Sequence, residues 1–176
     1  YPGGSISTPE SDHFLWSENY FCDMMNSKAI NGKHNSARLF SITALISLCI
    51  GITSFFIWFA SQKSCSDNSK LVLKISGITT MLFSCLIFTQ WHNQLIILAI
   101  VSGIIPLSII LNVILKNINS YDIALTIFVF TFLVGYVLIY YLNIMPNLHP
   151  IVQKCVVLIG FIWIIRIQFR NEKMKV

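Results

Sequence analysis

The chain has 176 residues, of which 55% are hydrophobic and only 11% are charged, and its formal net charge is +5. Because soluble domains carry about 25% charged residues, this composition excludes an ordinary soluble fold and predicts an integral membrane protein. Basic residues collect in the cytoplasmic loops of such proteins, so the positive charge does not indicate a nucleic-acid partner.

The first 36 residues are polar, turn-rich and aromatic, and we expect them to form an extracytoplasmic cap segment. The stretch Tyr1–Gly4, with its Pro-Gly pair, favours a tight turn in which Gly supplies a positive φ. A backbone donor loop that approaches a headgroup or ligand is the alternative. The aromatic residues between Phe14 and Phe21 recur at roughly helical spacing and predict a short amphipathic helix, either as a membrane anchor or as a lid over the bundle.

Five continuous apolar segments follow, and each is close to the roughly 20 residues that a helix needs to cross about 30 Å of hydrocarbon. They run from about 37–60, 71–88, 95–115, 123–142 and 151–167. Because these runs are continuous rather than alternating, they favour helices over barrel strands. The predicted fold is an all-α polytopic transmembrane helix bundle over residues 37–169.

Basic residues set the predicted orientation. Lys63, Lys70 and Lys116 lie in two of the loops, and more basic residues lie in the tail 170–176. The positive-inside rule makes these regions cytoplasmic and leaves the segment 1–36 outside. An exported N-terminal segment leads us to expect a further helix before Tyr1, and so six spans in the full protein.

A spaced pattern in the first 35 residues carries a resemblance. It consists of Tyr1-Pro2-Gly3-Gly4, Trp16, Asn19-Tyr20-Phe21-Cys22-Asp23, Asn31-Gly32 and Asn35. This pattern resembles the outer loop of small bacterial multi-pass membrane proteins of the DUF998 type, which are grouped with Frag1/DRAM-like proteins. The resemblance implies a topology and a bacterial inner (cytoplasmic) membrane, but no activity. A weaker likeness, carried by residues 7–20, is to alkaline ceramidases, which are membrane metal hydrolases.

All four histidines and four acidic residues fall on the predicted outer side. Imidazole and carboxylate groups are ligands of zinc and the means of acid–base catalysis. We therefore expect His34, His92 and His149 as candidate ligands of a divalent metal such as zinc, and Glu18 and Asp23 as candidate catalytic carboxylates. The remaining residues expected to line a polar pocket or the cap are Tyr1, Gly3, Gly4, Asp12, His13, Trp16 and Asn19.

Two functions stay open at this point. The first is an outward-facing polar pocket that binds or processes a membrane lipid or other amphiphile, and an enzyme of this kind would be a metal-assisted hydrolase. The second is a non-catalytic structural or regulatory membrane protein, with a protein partner in the membrane. In that case Cys22, which has no predicted disulfide partner, and the aromatic segment would contact the partner protein. No phosphate-binding loop or dinucleotide motif is present in the sequence.

Overall fold

The computed structural model describes residues 1–62, 65–117 and 120–170, and within these ranges the fold is helical, with no strand. Five α-helices follow one another along the chain: α1 Arg38–Ala60, α2 Asp67–Cys85, α3 His92–Asn117, α4 Ser120–Tyr141 and α5 His149–Arg170. Short 3-10 helices at Phe21–Met25 and Pro146–Leu148 precede α1 and α5. The expected all-α class is therefore confirmed over the described residues.

Four of these helices are long and apolar enough to cross a membrane, namely α1, α3, α4 and the stretch Pro146–Phe169 that contains α5. Membrane insertion is the arrangement that their composition supports, because their exposed side chains are largely apolar. Helix α2 does not reach the same hydropathy, since Asp67, Lys70 and Lys74 all lie in its first two turns.

Helices α2 to α5 begin two to four residues earlier than the apolar runs suggested, whereas α1 begins at Arg38, close to the predicted 37. Helix α2 starts at Asp67 rather than near 71, because the Ser66 side chain accepts a hydrogen bond from the Ser69 amide at 3.3 Å and caps the helix. Its last helical residue is Cys85, and residues 86–88 form a turn. Helix α5 likewise includes His149, and only Arg170 of the predicted tail 170–176 lies within the described residues.

The chain divides into two compact units. The first consists of residues 1–43 and 127–165, so it joins the N-terminal segment to the start of α1 and to most of α4 and α5. Within it, the Phe130 and Trp163 rings pack edge to face, with centroids 5.6 Å apart. This unit contains nearly all the residues that the sequence singles out as functional.

The second unit contains residues 44–126 and the chain from Arg166 onward. Helices α2 and α3 pack against each other in it, and the Thr80 hydroxyl donates a hydrogen bond to Ser102 Oγ at 3.1 Å. At the start of α4, buried Asp122 accepts a hydrogen bond from Arg166 Nε at 2.7 Å. The Arg166 guanidinium also lies 4.5 Å from the Tyr121 ring centroid, so Arg166 is held by an ion pair and a ring.

Candidate functional site

Three asparagine side chains organise the N-terminal segment. Buried Asn19 accepts a hydrogen bond from the Leu15 amide at 2.9 Å and donates to the Gly4 carbonyl at 2.8 Å. Asn31 donates to the Pro2 carbonyl at 2.6 Å. Asn35 donates to the Met24 and Asn26 carbonyls at 2.9 Å each. Because buried backbone groups need partners, these side chains fix a segment that contains little regular structure.

Gly3 and Gly4 are held where no other residue fits. Their φ angles are +110° and +84°, a region that side chains other than hydrogen rarely adopt. A Cβ on Gly3 would lie 2.2 Å from the Ser11 carbonyl oxygen, and one on Gly4 would lie 2.4 Å from the Asn31 amide nitrogen. These glycines therefore permit a close backbone approach inside the segment. The predicted tight turn over residues 1–4 is not formed, because the Gly4 amide donates to Ser11 Oγ instead.

The predicted amphipathic helix between Phe14 and Phe21 is not formed, so that expectation is wrong. The chain makes a single turn there, because the Asn19 amide donates to the Leu15 carbonyl and the Asn19 side chain donates to the Gly4 carbonyl, fifteen residues earlier. The 3-10 helix starts only at Phe21. The aromatic side chains are consequently spread around a centre instead of along one helical face.

That centre is the ammonium group of Lys154, which reaches the N-terminal segment from the second turn of α5. Its Nζ donates hydrogen bonds to the Asn19 carbonyl at 2.6 Å and to the Pro150 carbonyl at 3.0 Å. Three ring centroids lie 5.3–5.5 Å from Nζ, those of Phe14, Trp16 and Phe21. Cation–π attraction acts within about 6 Å, and Lys154 is only 9% exposed, so this lysine joins the segment to α5.

Further contacts attach the same segment to the helices. The Phe21 amide donates to Gln153 Oε1 at 3.0 Å, next to Lys154 in sequence. The Tyr20 ring meets the Tyr140 ring of α4 edge to face at 6.5 Å. Arg38 Nε, at the start of α1, donates to the Met25 carbonyl at 3.2 Å. The N-terminal segment is thus docked on α4 and α5 and on the beginning of α1.

Both predicted catalytic carboxylates are engaged in the local fold. Glu18 accepts hydrogen bonds from the hydroxyls of Ser5 and Thr8. Asp23 accepts from the Tyr20 amide at 2.8 Å and from Asn19 Nδ2 at 3.3 Å, so it caps the short 3-10 helix. These bonds give each carboxylate a structural role in the segment.

The other predicted members of the cap lie at different depths. The Tyr1 hydroxyl accepts a hydrogen bond from the Ile30 amide at 3.2 Å, and burial raises the pKa of this phenol. Exposed Asp12 binds His13 Nδ1 at 2.7 Å, and this hydrogen bond lowers the pKa of the Asp12 carboxyl. Trp16 is 67% exposed, although its ring faces Lys154.

The three histidines predicted as metal ligands have separate surroundings. His92 Nδ1 lies 2.6 Å from the Ile87 carbonyl, and His149 Nε2 lies 2.8 Å from the Ile144 carbonyl. His34 is exposed and pairs its backbone with Lys28. Within residues 1–62, 65–117 and 120–170, no group of three or more His, Cys, Asp or Glu side chains is arranged to hold a metal ion. Two imidazoles instead each bond a carbonyl five residues earlier.

Cys22 lies between the N-terminal segment and α5. Burial raises the pKa of its thiol to about 11. At neutral pH the thiol is therefore protonated and a poor nucleophile. Cys22 acts as a packed side chain here, and the described cysteines are free of disulfides.

Neither Lys154 nor Gln153 was among the residues that the sequence predicted to be functional. The available signal was a polar Gln-Lys pair in the second turn of an apolar helix, in a chain whose N-terminal segment is rich in aromatic rings. An ammonium at such a position needs partners, and aromatic faces with free carbonyls can supply them.

Comparison with protein-family models, with curated proteins and with solved structures finds no match to this chain.

Proposed function

We propose that this chain is a five-span integral membrane protein that works by contact, and that its docked N-terminal segment is a preformed surface on the outer side. The observation that best supports a fixed surface is the Lys154 ammonium, which is bound by the Asn19 carbonyl and by three aromatic rings. A segment held this firmly can bind a protein partner in the membrane without first being ordered, and ordering costs affinity.

The contact role is favoured over hydrolysis because the expected catalytic groups have other tasks. Glu18 and Asp23 bind groups of their own segment, and His92 and His149 bind nearby carbonyls. A hydrolase would need some of these groups aimed at a shared water or metal. The structural or regulatory alternative from the sequence therefore receives the stronger support.

The fifth span in this proposal is α2. Its 19 residues would extend about 28 Å at 1.5 Å per residue, close to the hydrocarbon thickness. It packs along α3, which is itself long and apolar enough to span. The charged side chains of its first two turns can extend toward the headgroups, so the helix can cross despite its lower hydropathy.

Five spans place the N-terminal segment and the end of α5 on opposite sides, and the basic loops favour the segment as the outer one. Labelling of single cysteines introduced by Lys33→Cys and Lys116→Cys with a membrane-impermeant maleimide tests this in intact cells. We expect the maleimide to label Lys33→Cys in intact cells and to label Lys116→Cys only after the membrane is permeabilised. The reverse pattern, or labelling of both, would contradict the topology.

Photo-crosslinking in cells tests the contact role. A photoreactive residue replaces Ile6, which is 81% exposed on the N-terminal segment, or Phe40, which is 81% exposed on α1. We expect one discrete protein adduct from position 6, lost in Lys154→Met and kept in the control Lys33→Met, and lipid adducts from position 40. An adduct that survives Lys154→Met, or no protein adduct from position 6, would contradict the proposal.

Elemental analysis of the purified protein tests the metal-assisted hydrolase, the alternative function, directly. Because the candidate ligands are separately engaged, we expect no zinc or iron at a stoichiometric level. One metal ion per chain, lost on combined substitution of His92 and His149, would restore the metal-assisted mechanism.

A further inference from the structure

Four aromatic residues lie along one ridge of α4, at every fourth position. Phe128 and Phe132 are stacked, with centroids 6.1 Å apart and an angle of 8° between the rings. Tyr136 and Tyr140 follow, also with centroids 6.1 Å apart. Residues four apart are neighbours on a ridge that winds around the helix, so Phe128 and Tyr140 point about 120° apart, and the twelve-residue step between them covers about 18 Å. We call these four residues the aromatic row.

The row changes character along its length. Its apolar end has two phenyl rings, and Phe128 is 55% exposed. Its phenolic end touches the N-terminal segment and α5, since the Tyr140 ring lies 6.5 Å from the ring of Tyr20 and 5.5 Å from the ring of His149. An apolar surface that ends in hydroxyl groups has the polarity of a membrane amphiphile lying alongside it.

The phenolic end has donors that the described part of the protein does not use. Hydrogen bonds within residues 1–62, 65–117 and 120–170 include none to the hydroxyls of Tyr136 or Tyr140. A hydroxyl near the hydrocarbon region costs free energy when it has no acceptor. Beside the row, Gly135 leaves open space, because a Cβ built there meets no atom within 4 Å. Tyr140 is also 38% exposed, so an acceptor can reach this end of the row from outside the protein.

We propose that the aromatic row binds one membrane glycerolipid. An acyl chain lies on Phe128 and Phe132, and an oxygen of the ester or phosphate group accepts hydrogen bonds from Tyr136 and Tyr140. The length of the row suits this occupant. One leaflet contributes about 15 Å to the roughly 30 Å hydrocarbon core, so a row of about 18 Å can follow one acyl chain and reach the interface. This site goes beyond the contact role proposed above, and either can hold without the other.

An ordinary aromatic belt explains the row less well. Belt residues anchor a helix at the level of the headgroups, whereas here the rings continue from Tyr140 down to Phe128. The phenolic end also lies against Tyr20, which the N-terminal segment supplies from outside the helix. A row with a covered polar end fits one bound lipid molecule better than it fits general contact with the bilayer.

Lipid binding can be measured on the full chain in detergent by native mass spectrometry, with phosphatidylcholine and a monoacylglycerol as the two probes. Both offer an ester, and only the first offers a phosphate, so their relative affinity identifies the acceptor. We expect saturable binding of one molecule of at least one probe. Tyr136→Phe and Tyr140→Phe should each weaken binding about three- to tenfold, the usual range for one hydrogen bond.

The control is Tyr121→Phe, which removes an exposed phenol at the other end of α4 and should leave affinity unchanged.

Photolabelling in nanodiscs with a phosphatidylcholine that carries a diazirine in its acyl chain should modify the peptide that contains Phe128 and Phe132. Non-saturable binding, equal loss in the control, or label spread evenly over the exposed helices would overturn the proposal. Because Tyr→Phe keeps each ring, an unchanged unfolding temperature confirms that the fold is intact.

Discussion

Lys154→Met should release the N-terminal segment from α5. The substitution keeps a long unbranched side chain but removes the ammonium, and with it the hydrogen bonds to the Asn19 and Pro150 carbonyls. It also removes the positive charge that the rings of Phe14, Trp16 and Phe21 surround. The perturbation therefore acts at one point on the contact between two parts of the same unit.

The size of the effect follows from these contacts. A hydrogen bond from a charged group contributes about 1.5–3 kcal/mol, and cation–π attraction at a largely desolvated site contributes about 1–2 kcal/mol. Burying the ammonium opposes both contributions, and a methionine still packs against rings. We expect the free energy of opening the segment to fall by about 2–4 kcal/mol, which raises the open fraction about 30- to 1000-fold.

Hydrogen–deuterium exchange of the protein in nanodiscs measures this opening. The informative amides are those of Phe21, which binds Gln153, and Leu15, which binds Asn19. Lys154→Met should accelerate their exchange by the factor above, while exchange in α2 and α3 stays unchanged. Lys33→Met, at an exposed position of the same segment, is the control. Equal exchange in the Lys154 variant and the wild type would refute the reasoning.

Three other changes test separate parts of the structure. Burial raises the pKa of Cys22 from 9.0 to about 11, so the thiolate fraction at pH 8 is about a hundredfold lower than for an exposed cysteine. Alkylation of Cys22 should therefore be slow until the protein is denatured. Rapid alkylation of the folded protein would contradict this. Gly3→Ala should lower the unfolding free energy by about 2–4 kcal/mol in a thermal unfolding assay, since the φ of Gly3 is +110°. Gly51→Ala is the control. A Cβ at position 51 meets no other atom within 4 Å, so this substitution should be neutral or stabilising. Arg166→Met should cost about 2–4 kcal/mol because it leaves buried Asp122 without its ion pair, and a variant with unchanged stability would show that the pair is dispensable.

The helices could be predicted because each apolar run is long and continuous. The ends of the helices were harder to predict. The start of α2, for example, is set by the polar capping residue Ser66, which lies outside the apolar run. The same polar first turns separate α2 from the four helices that satisfy length and hydropathy together. Hydropathy reports the middle of a helix well and its termini poorly.

The N-terminal segment was harder to read, because its shape depends on contacts between distant residues. The spacing of Phe14 and Phe21 suggested a helix, but the side-chain bonds of Asn19 turn the chain instead. The positive φ at Gly3 could be predicted from the Pro-Gly pair, but the turn expected with it is not formed. The hydrogen bond between Lys154 and Asn19 joins residues 135 positions apart, and no local pattern in the sequence predicts it.

The docking of the N-terminal segment around Lys154 is tested most directly by nuclear magnetic resonance of the protein with 13C at lysine Cε, in nanodiscs. Three rings surround the Lys154 ammonium, so one lysine signal should be displaced upfield by their ring currents. That signal should vanish in Lys154→Arg and move toward the others in Trp16→Ala. A spectrum in which every lysine signal has an ordinary position would contradict the account.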